Sequence, residues 1–386
     1  MPANTILADD QPAELEKGIA LALSGGGYRA MIFHLGALIR LNEAGLLKRI
    51  ARVSSVSGGS ITAAVLGMKW SELVFGPANV ASNLDIVVKA VRKMADTSVD
   101  AGAIIGGILL PGTIGEKVAA AYDKVLFGGK TLQDLPDDLA GEGPRFVVNA
   151  TNIQSSALWR FGREYMGDYR VGLVRRPTIP LALAVAASSA FPPLLSPLPL
   201  KISQPFDDVD GADLTTASFR RSVYLSDGGV YDNLGLETVE KRYATLLVSD
   251  AGQKIASEPS SSTDWTRHSI RVLEVIDNQV RSLRQRRLID GFDRKDHSGC
   301  YWSVRARFAE YKVADDTLGC TRRNPAALAA IPTRLQAMPK AQQEALINWG
   351  YAICDGALRS YFAADALALY DVTIAKPKGF PFGAGY

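Results

Sequence analysis

The sequence predicts an α/β fold, a mainly parallel sheet covered by helices on both faces. Three observations carry this expectation. Short apolar runs of strand length alternate along the chain with longer helical patterns. Two of those runs stop at small residues and pass at once into a helical pattern, as strands of parallel sheets do. No repeat and no low-complexity linker divides the 386 residues. One large domain is therefore expected over 17–370, between a polar N-terminal tail (1–16) and a C-terminal tail (371–386).

Gly18–Ser24 (GIALALS) is an apolar run that ends at three glycines and reads as a buried strand. From Ala30 to Ala44, apolar residues at Ile32, Leu35, Ile39 and Leu41 suit a helix, and Gly45 suits its end. Arg52–Val56 reads as a second short strand and Gly58–Met68 as the helix after it. Segment 82–127 is mostly helical in pattern and is a candidate lid insertion. It carries an apolar, glycine-rich stretch, Ala101–Gly112, well short of the roughly 20 residues that span a bilayer. That stretch reads as a buried hairpin, or as a lid or membrane contact beside an active site. Further strands are expected at Arg145–Ile153, Leu158–Phe161, Val223–Leu225 and Thr245–Ser249, and long helices at Asp264–Leu288 and Lys340–Ser360.

The hydrophobic fraction of 47% and charged fraction of 22% are those of an ordinary globular protein. A net charge of +3 without a dense Lys/Arg stripe argues against a nucleic-acid partner. Cys300, Cys320 and Cys354 are scattered and form no disulfide framework, which points to a reducing, cytoplasmic setting. Met1–Lys17 carries Asp9, Asp10, Glu14 and Glu16 and lacks the basic start and apolar run of a signal peptide. Pro177–Leu200 is long and uncharged, but its prolines rule it out as a lipid-exposed helix.

Chemistry enters at Ser24-Gly25-Gly26-Gly27-Tyr28-Arg29-Ala30, between a strand and a helix. Amides at a helix start are unpaired, and glycines let a ligand approach them. A phosphate would fit, since Gly25, Gly27 and Ala30 match a GxGxxA dinucleotide pattern. The oxyanion of a tetrahedral acyl intermediate would fit equally well. The next strand decides between them. A dinucleotide site wants an acidic residue at its end, whereas the chain offers Ser54-Ser55-Val56-Ser57-Gly58-Gly59-Ser60. Ser55, Ser57 and Gly59 take the places of a nucleophile elbow, as SxSxG rather than GxSxG. A serine hydroxyl needs a base, and Leu225-Ser226-Asp227-Gly228-Gly229 supplies a carboxylate in a tight turn. Alone, an Asp-Gly-Gly is simply a turn; its weight comes from combination with the other two loops.

This ordered set resembles the patatin-like phospholipase family, as does Ala187-Ser188-Ser189-Ala190-Phe191-Pro192, similar to an A-S-x-A-x-P stretch. Leu346–Tyr351 (LINWGY) is reminiscent of a bacterial subgroup. The resemblance implies a three-layer α/β/α domain with Ser57 as nucleophile, Asp227 as general base and no metal or other cofactor. It implies an oxyanion hole at Gly25, Gly26 and Gly27, and Arg29 as anchor of that loop or of the substrate's anionic head group. Ser55 and Ala30 stand where many members have glycine. The implied activity is phospholipase A-type cleavage of glycerolipid esters at a peripheral membrane surface. Alternatives are a soluble carboxylesterase or thioesterase, and an effector activated by a partner or small ligand. A Ser–His–Asp triad would need His34, His268 or His297, each of which reads as surface or structural. The Arg281, Arg284, Arg286, Arg287 cluster lies beside Asp290, Asp293 and Asp296, as on a solvated, internally paired helix end.

Overall fold

The computed structural model describes residues 14–99, 113–193, 195–253, 255, 257–260, 263–383, 385 and 386. The apolar stretch 101–112 and most of the tail 1–16 lie outside the described residues.

The first half of the chain opens with β1 (Glu16–Leu23), α1 (Gly27–Glu43), β2 (Ile50–Val56) and α2 (Gly58–Met68). It continues through α3 (Asp85–Ala95), α4 (Ile114–Tyr122), β3 (Arg145–Asn152), β4 (Ala157–Phe161), β5 (Tyr165–Asp168) and β6 (Gly172–Arg175). The second half holds α5 (Leu181–Ser188), β7 (Leu198–Lys201), β8 (Ser222–Asp227), β9 (Tyr243–Asp250), α6 (Trp265–Asp293), β10 (Ser298–Ser303), α7 (Lys340–Ala357) and α8 (Ala363–Tyr370). The strands form one sheet in the order β10-β9-β1-β2-β3-β4-β5-β6, with β8 against β3 and β7 beyond it. The β10-β9-β1-β2-β3 portion is parallel, and β4, β5, β6, β7 and β8 pair antiparallel.

Central strands carry little alternation because both faces are covered. Ile19, Leu21 and Leu23 pack into one core cluster, while Ala20 and Ala22 pack into a second with Leu246 and Val248 of β9. Helix α1 lies over the sheet and crosses α7 at a reciprocal glycine contact. A Cβ on Gly36 would meet the Ile347 carbonyl at 2.0 Å, and one on Gly350 would meet the Phe33 carbonyl at 2.0 Å. Leu346–Tyr351 therefore lies on the helix that clamps α1. The described residues of 371–386 form no helix or strand but are fastened down: Phe382 N–H donates to Asn348 at 3.0 Å and the Tyr386 ring sits 4.7 Å from Trp349.

One detail of register sets up the site. Strand β2 ends with Val56 beside Asn149 of β3. On the same flank of β3, β8 arrives from the opposite direction and ends with Asp227 beside Ala150. The two strands meet end to end along one neighbour, so residues 57 and 227 converge despite their separation in sequence.

The expected elements are present with ends shifted by a few residues, and others were hidden. Helix α5 lies inside the proline-rich stretch because Pro180 sits at its start, where a missing N–H costs nothing. Helix α6 begins after Asp264, whose side chain accepts from Arg267 N–H at 2.9 Å, and runs on to Asp293.

Candidate active site

Ser57 occupies the turn between β2 and α2 with φ 51° and ψ −120°, a backbone region costly for a residue with a Cβ. Such a turn swings the side chain out of the strand line. Its neighbours must be small: a Cβ on Gly58 would lie 2.0 Å from the Gly27 carbonyl, and one on Gly59 2.5 Å from that of Leu23. Ser55, standing where an elbow glycine is usual, is accommodated by polar partners. Its hydroxyl donates to the Val147 carbonyl at 3.2 Å and accepts from Ser60 at 3.1 Å.

The Ser57 side chain lies close enough to the Asp227 carboxylate to act on its pKa as a hydrogen-bonding neighbour. Asp227 Oδ1 also accepts from Gly229 N–H at 2.7 Å, and Thr151 donates to the Asp227 carbonyl at 2.8 Å. Burial pushes the Asp227 carboxyl up to about 7, more than the Gly229 and Ser57 hydrogen bonds lower it, with Asp277 adding a smaller upward push. A carboxylate so desolvated is a stronger base than an exposed one, and it titrates near neutrality.

The glycine loop faces this pair: a Cβ on Gly25 would meet Ser57 Cβ at 3.3 Å and Asn233 Oδ1 at 2.3 Å. Gly26 (φ 143°) and Gly27 (φ 60°) adopt conformations that disfavour other residues. Of the three glycines expected to form an oxyanion hole, Gly25 is already committed, its N–H donating to the Asn233 carbonyl at 3.1 Å. Among the described residues the amides of Gly26, Gly27 and Gly58 have no protein partner. Gly58 follows the serine directly, the place from which elbow enzymes often draw a donor, and sequence reasoning overlooked it.

Arg29 lies under the loop and away from solvent. Its fully buried guanidinium donates to the Ala251 carbonyl at 2.8 and 3.0 Å and to Thr333 at 3.1 Å, and also bonds the Ile331 carbonyl. Burial lowers its pKa to about 10, which still leaves it charged. Of the two roles expected for Arg29, these contacts fit the loop anchor: its donors are turned onto protein carbonyls and hydroxyls.

The A-S-x-A-x-P stretch also acquires a place. Ser188 Oγ accepts from Ser57 N–H at 2.9 Å and shares a 2.9 Å bond with Ser60, while the Ser188 carbonyl receives Gly228 N–H at 3.3 Å. The Ala190 carbonyl receives Asp227 N–H at 2.9 Å. This one stretch braces the serine turn and the aspartate turn together. The A-S-x-A-x-P pattern was its only signal in the sequence.

No histidine joins the pair. His34 is buried between Ser249 (2.8 Å) and the Ser24 carbonyl (2.9 Å), and burial lowers its pKa to about 4, so it is neutral. His297 bonds the Tyr243 carbonyl at 3.1 Å, and His268 is exposed. Among the described residues no group of His, Cys, Asp or Glu is arranged to hold a metal ion.

A serine on a strained strand-to-helix turn, beside a buried carboxylate and faced by free glycine amides, has the geometry of the α/β proteins built around a nucleophile elbow. A sequence profile described as Patatin-like phospholipase matches residues 21–239, more than half of the chain. The chain belongs to the patatin-like phospholipase family. No curated protein matches it in sequence. Among solved structures, human GIVD cytosolic phospholipase A2 is similar over 91% of this chain and 60% of its own, at 14% identity and TM-score 0.52, a likeness of fold. The same human protein in complex with methyl γ-linolenyl fluorophosphonate aligns at 15% identity over 95% and 59%, TM-score 0.49. VipD from Legionella pneumophila aligns at 15% identity over 88% and 66%, TM-score 0.36. The chain thus spans about 60% of the human protein's length.

Proposed function

We propose that this protein is a phospholipase A-type acyl hydrolase that cleaves glycerolipid esters with Ser57 and Asp227. The observation that carries the reading is the hydroxyl of a strained Ser57 beside a buried carboxylate whose pKa is raised to about 7, with free amides at Gly26 and Gly27 close by. In the first step Ser57 Oγ attacks the ester carbonyl carbon and its proton passes to Asp227. The carbonyl oxygen becomes an oxyanion held by the Gly26 and Gly27 amides, contacts of a type worth about 3–4 kcal/mol of barrier each. Collapse breaks the ester C–O bond, and Asp227 returns the proton to the departing lysolipid alkoxide. Water, deprotonated by Asp227, then hydrolyses the acyl-Ser57 ester to a fatty acid and regenerates the hydroxyl.

The test is mass-spectrometric profiling of phospholipid vesicles incubated with wild type and with Ser57→Ala. Appearance of free fatty acid and lysolipid with wild type alone supports the reading. Equal release by both proteins, or acyl release confined to soluble esters, refutes it.

A further inference from the structure

Helix α6 has two different halves. Its C-terminal half is fastened beside the site: Arg284 pairs with Glu237 at 3.1 Å and Asp232 at 3.7 Å, and Arg287 with Glu240 at 2.6 Å. Arg281 donates to the Gln253 carbonyl at 2.7 Å, just past the end of β9. From there toward its N-terminus the helix projects into solvent. At about 100° per residue, Trp265, Val272, Leu273, Ile276, Val280 and Leu283 fall within roughly 100° of arc. All six are exposed, Trp265 by 81%, Leu273 by 60% and Leu283 by 52%. The opposite face is polar and partly covered, with Arg271 paired to Glu258 at 3.6 Å and to Glu274 at 3.2 Å.

We propose that this apolar stripe of α6 is the surface by which the protein seats itself on a phospholipid bilayer, a proposal that rests on the lipid-hydrolase reading above. The stripe ends at the site. The helical turn Gly229–Asp232, which follows Asp227, packs against α6, and Val230 on that turn is exposed. Phe191, next to the residue whose carbonyl holds Asp227, is exposed as well. Asp277, on the flank of the stripe, is near enough to influence Asp227. Ser57 itself is almost fully buried, so a lipid must be delivered to it from close range.

Size favours a membrane over a second copy of the chain. A stripe about 27 Å long and about 10 Å wide offers roughly 300 Å², far below the ~800 Å² that each partner of a stable dimer contributes. Shallow insertion of an amphipathic helix sets no such minimum, and a tryptophan at its tip suits the headgroup level. The arginines of α6 are largely engaged in ion pairs, so apolar insertion, rather than charge, is the driving contact.

Co-sedimentation with phosphatidylcholine–phosphatidylglycerol vesicles tests this. The double variant Leu273→Glu, Ile276→Glu should lose vesicle partitioning by more than about tenfold. It should lose turnover of vesicle lipid in parallel while keeping turnover of a monomeric short-chain ester. The other tryptophans, Trp70, Trp159, Trp302 and Trp349, are buried. Vesicles should therefore shift wild-type emission to the blue, and Trp265→Phe should abolish the shift. Undiminished partitioning of the double variant overturns the proposal, as does a wild type that ignores vesicles. A wild-type dimer that the double variant breaks, with vesicle binding intact, overturns it too. Vesicle binding by a wild type no more hydrolytic than Ser57→Ala would leave the docking surface standing and the hydrolase reading refuted.

Discussion

Asp227→Asn should make the protein inactive and more stable, and the gain should depend on pH. The carboxyl is raised from 3.8 to about 7 by burial, so the folded protein binds its proton more tightly than the unfolded chain does. Stability associated with this group is therefore highest in acid and falls as pH rises. Below about pH 4 both states are protonated and nothing is lost; above about pH 7 the loss is complete, at about 4 kcal/mol. At about pH 5 the same relation gives a loss of about 2 kcal/mol. Asparagine is neutral throughout and keeps an oxygen for Gly229 N–H and the Ser57 hydroxyl. Its advantage in urea unfolding should accordingly grow by about 2–3 kcal/mol between about pH 5 and about pH 8.5, while turnover falls by about 10²–10⁴. An advantage that stays flat over that range, or that reverses sign, would falsify the argument that desolvation governs this carboxyl.

Three further outcomes are expected. Because Ser57 sits at φ 51°, Ser57→Gly should be more stable than Ser57→Ala by about 1–3 kcal/mol in thermal unfolding; equal stabilities would remove the case for a strained turn. Ser188→Ala leaves the buried Ser57 N–H without its 2.9 Å partner and should cost about 1–3 kcal/mol of stability. In steady-state kinetics it should lower kcat more than it raises KM, and an effect on KM alone counts against a bracing role. Arg29→Lys cannot reproduce the fan of bonds to Ala251, Ile331 and Thr333. It should destabilise the fold by about 2–4 kcal/mol without changing KM, whereas a KM effect with stability intact would restore the head-group role.

Much of this was legible because local sequence and local structure coincide. A strand followed by a glycine- or serine-rich turn and a helix is written in consecutive residues, so the Gly25–Gly27 loop and the Ser57 turn could be read directly. The meeting of Ser57 with Asp227 could not, since it depends on β8 running antiparallel along β3 at the point where β2 stops. Strand β10, whose SGCYWS pattern is short and flanked by charged loops, declared itself only through pairing with β9. Arg29 stayed open between two roles for a different reason. A lone arginine after a glycine loop carries the same letters whether it points at solvent or at buried carbonyls, and only the packing of residues 331–334 over the loop decides which.

The crossing of α1 and α7 bears on how the protein can be dissected. The region matched by the family profile stops at residue 239, yet β9, which completes one side of β1, and α7, which covers α1, both lie beyond it. A recombinant fragment cut at that boundary would carry a raw strand edge and a naked helix flank, the ingredients of an insoluble product. A recombinant fragment meant to fold by itself should therefore extend through the second helix of the glycine crossing. The two halves, co-expressed as separate polypeptides, could reassemble through it.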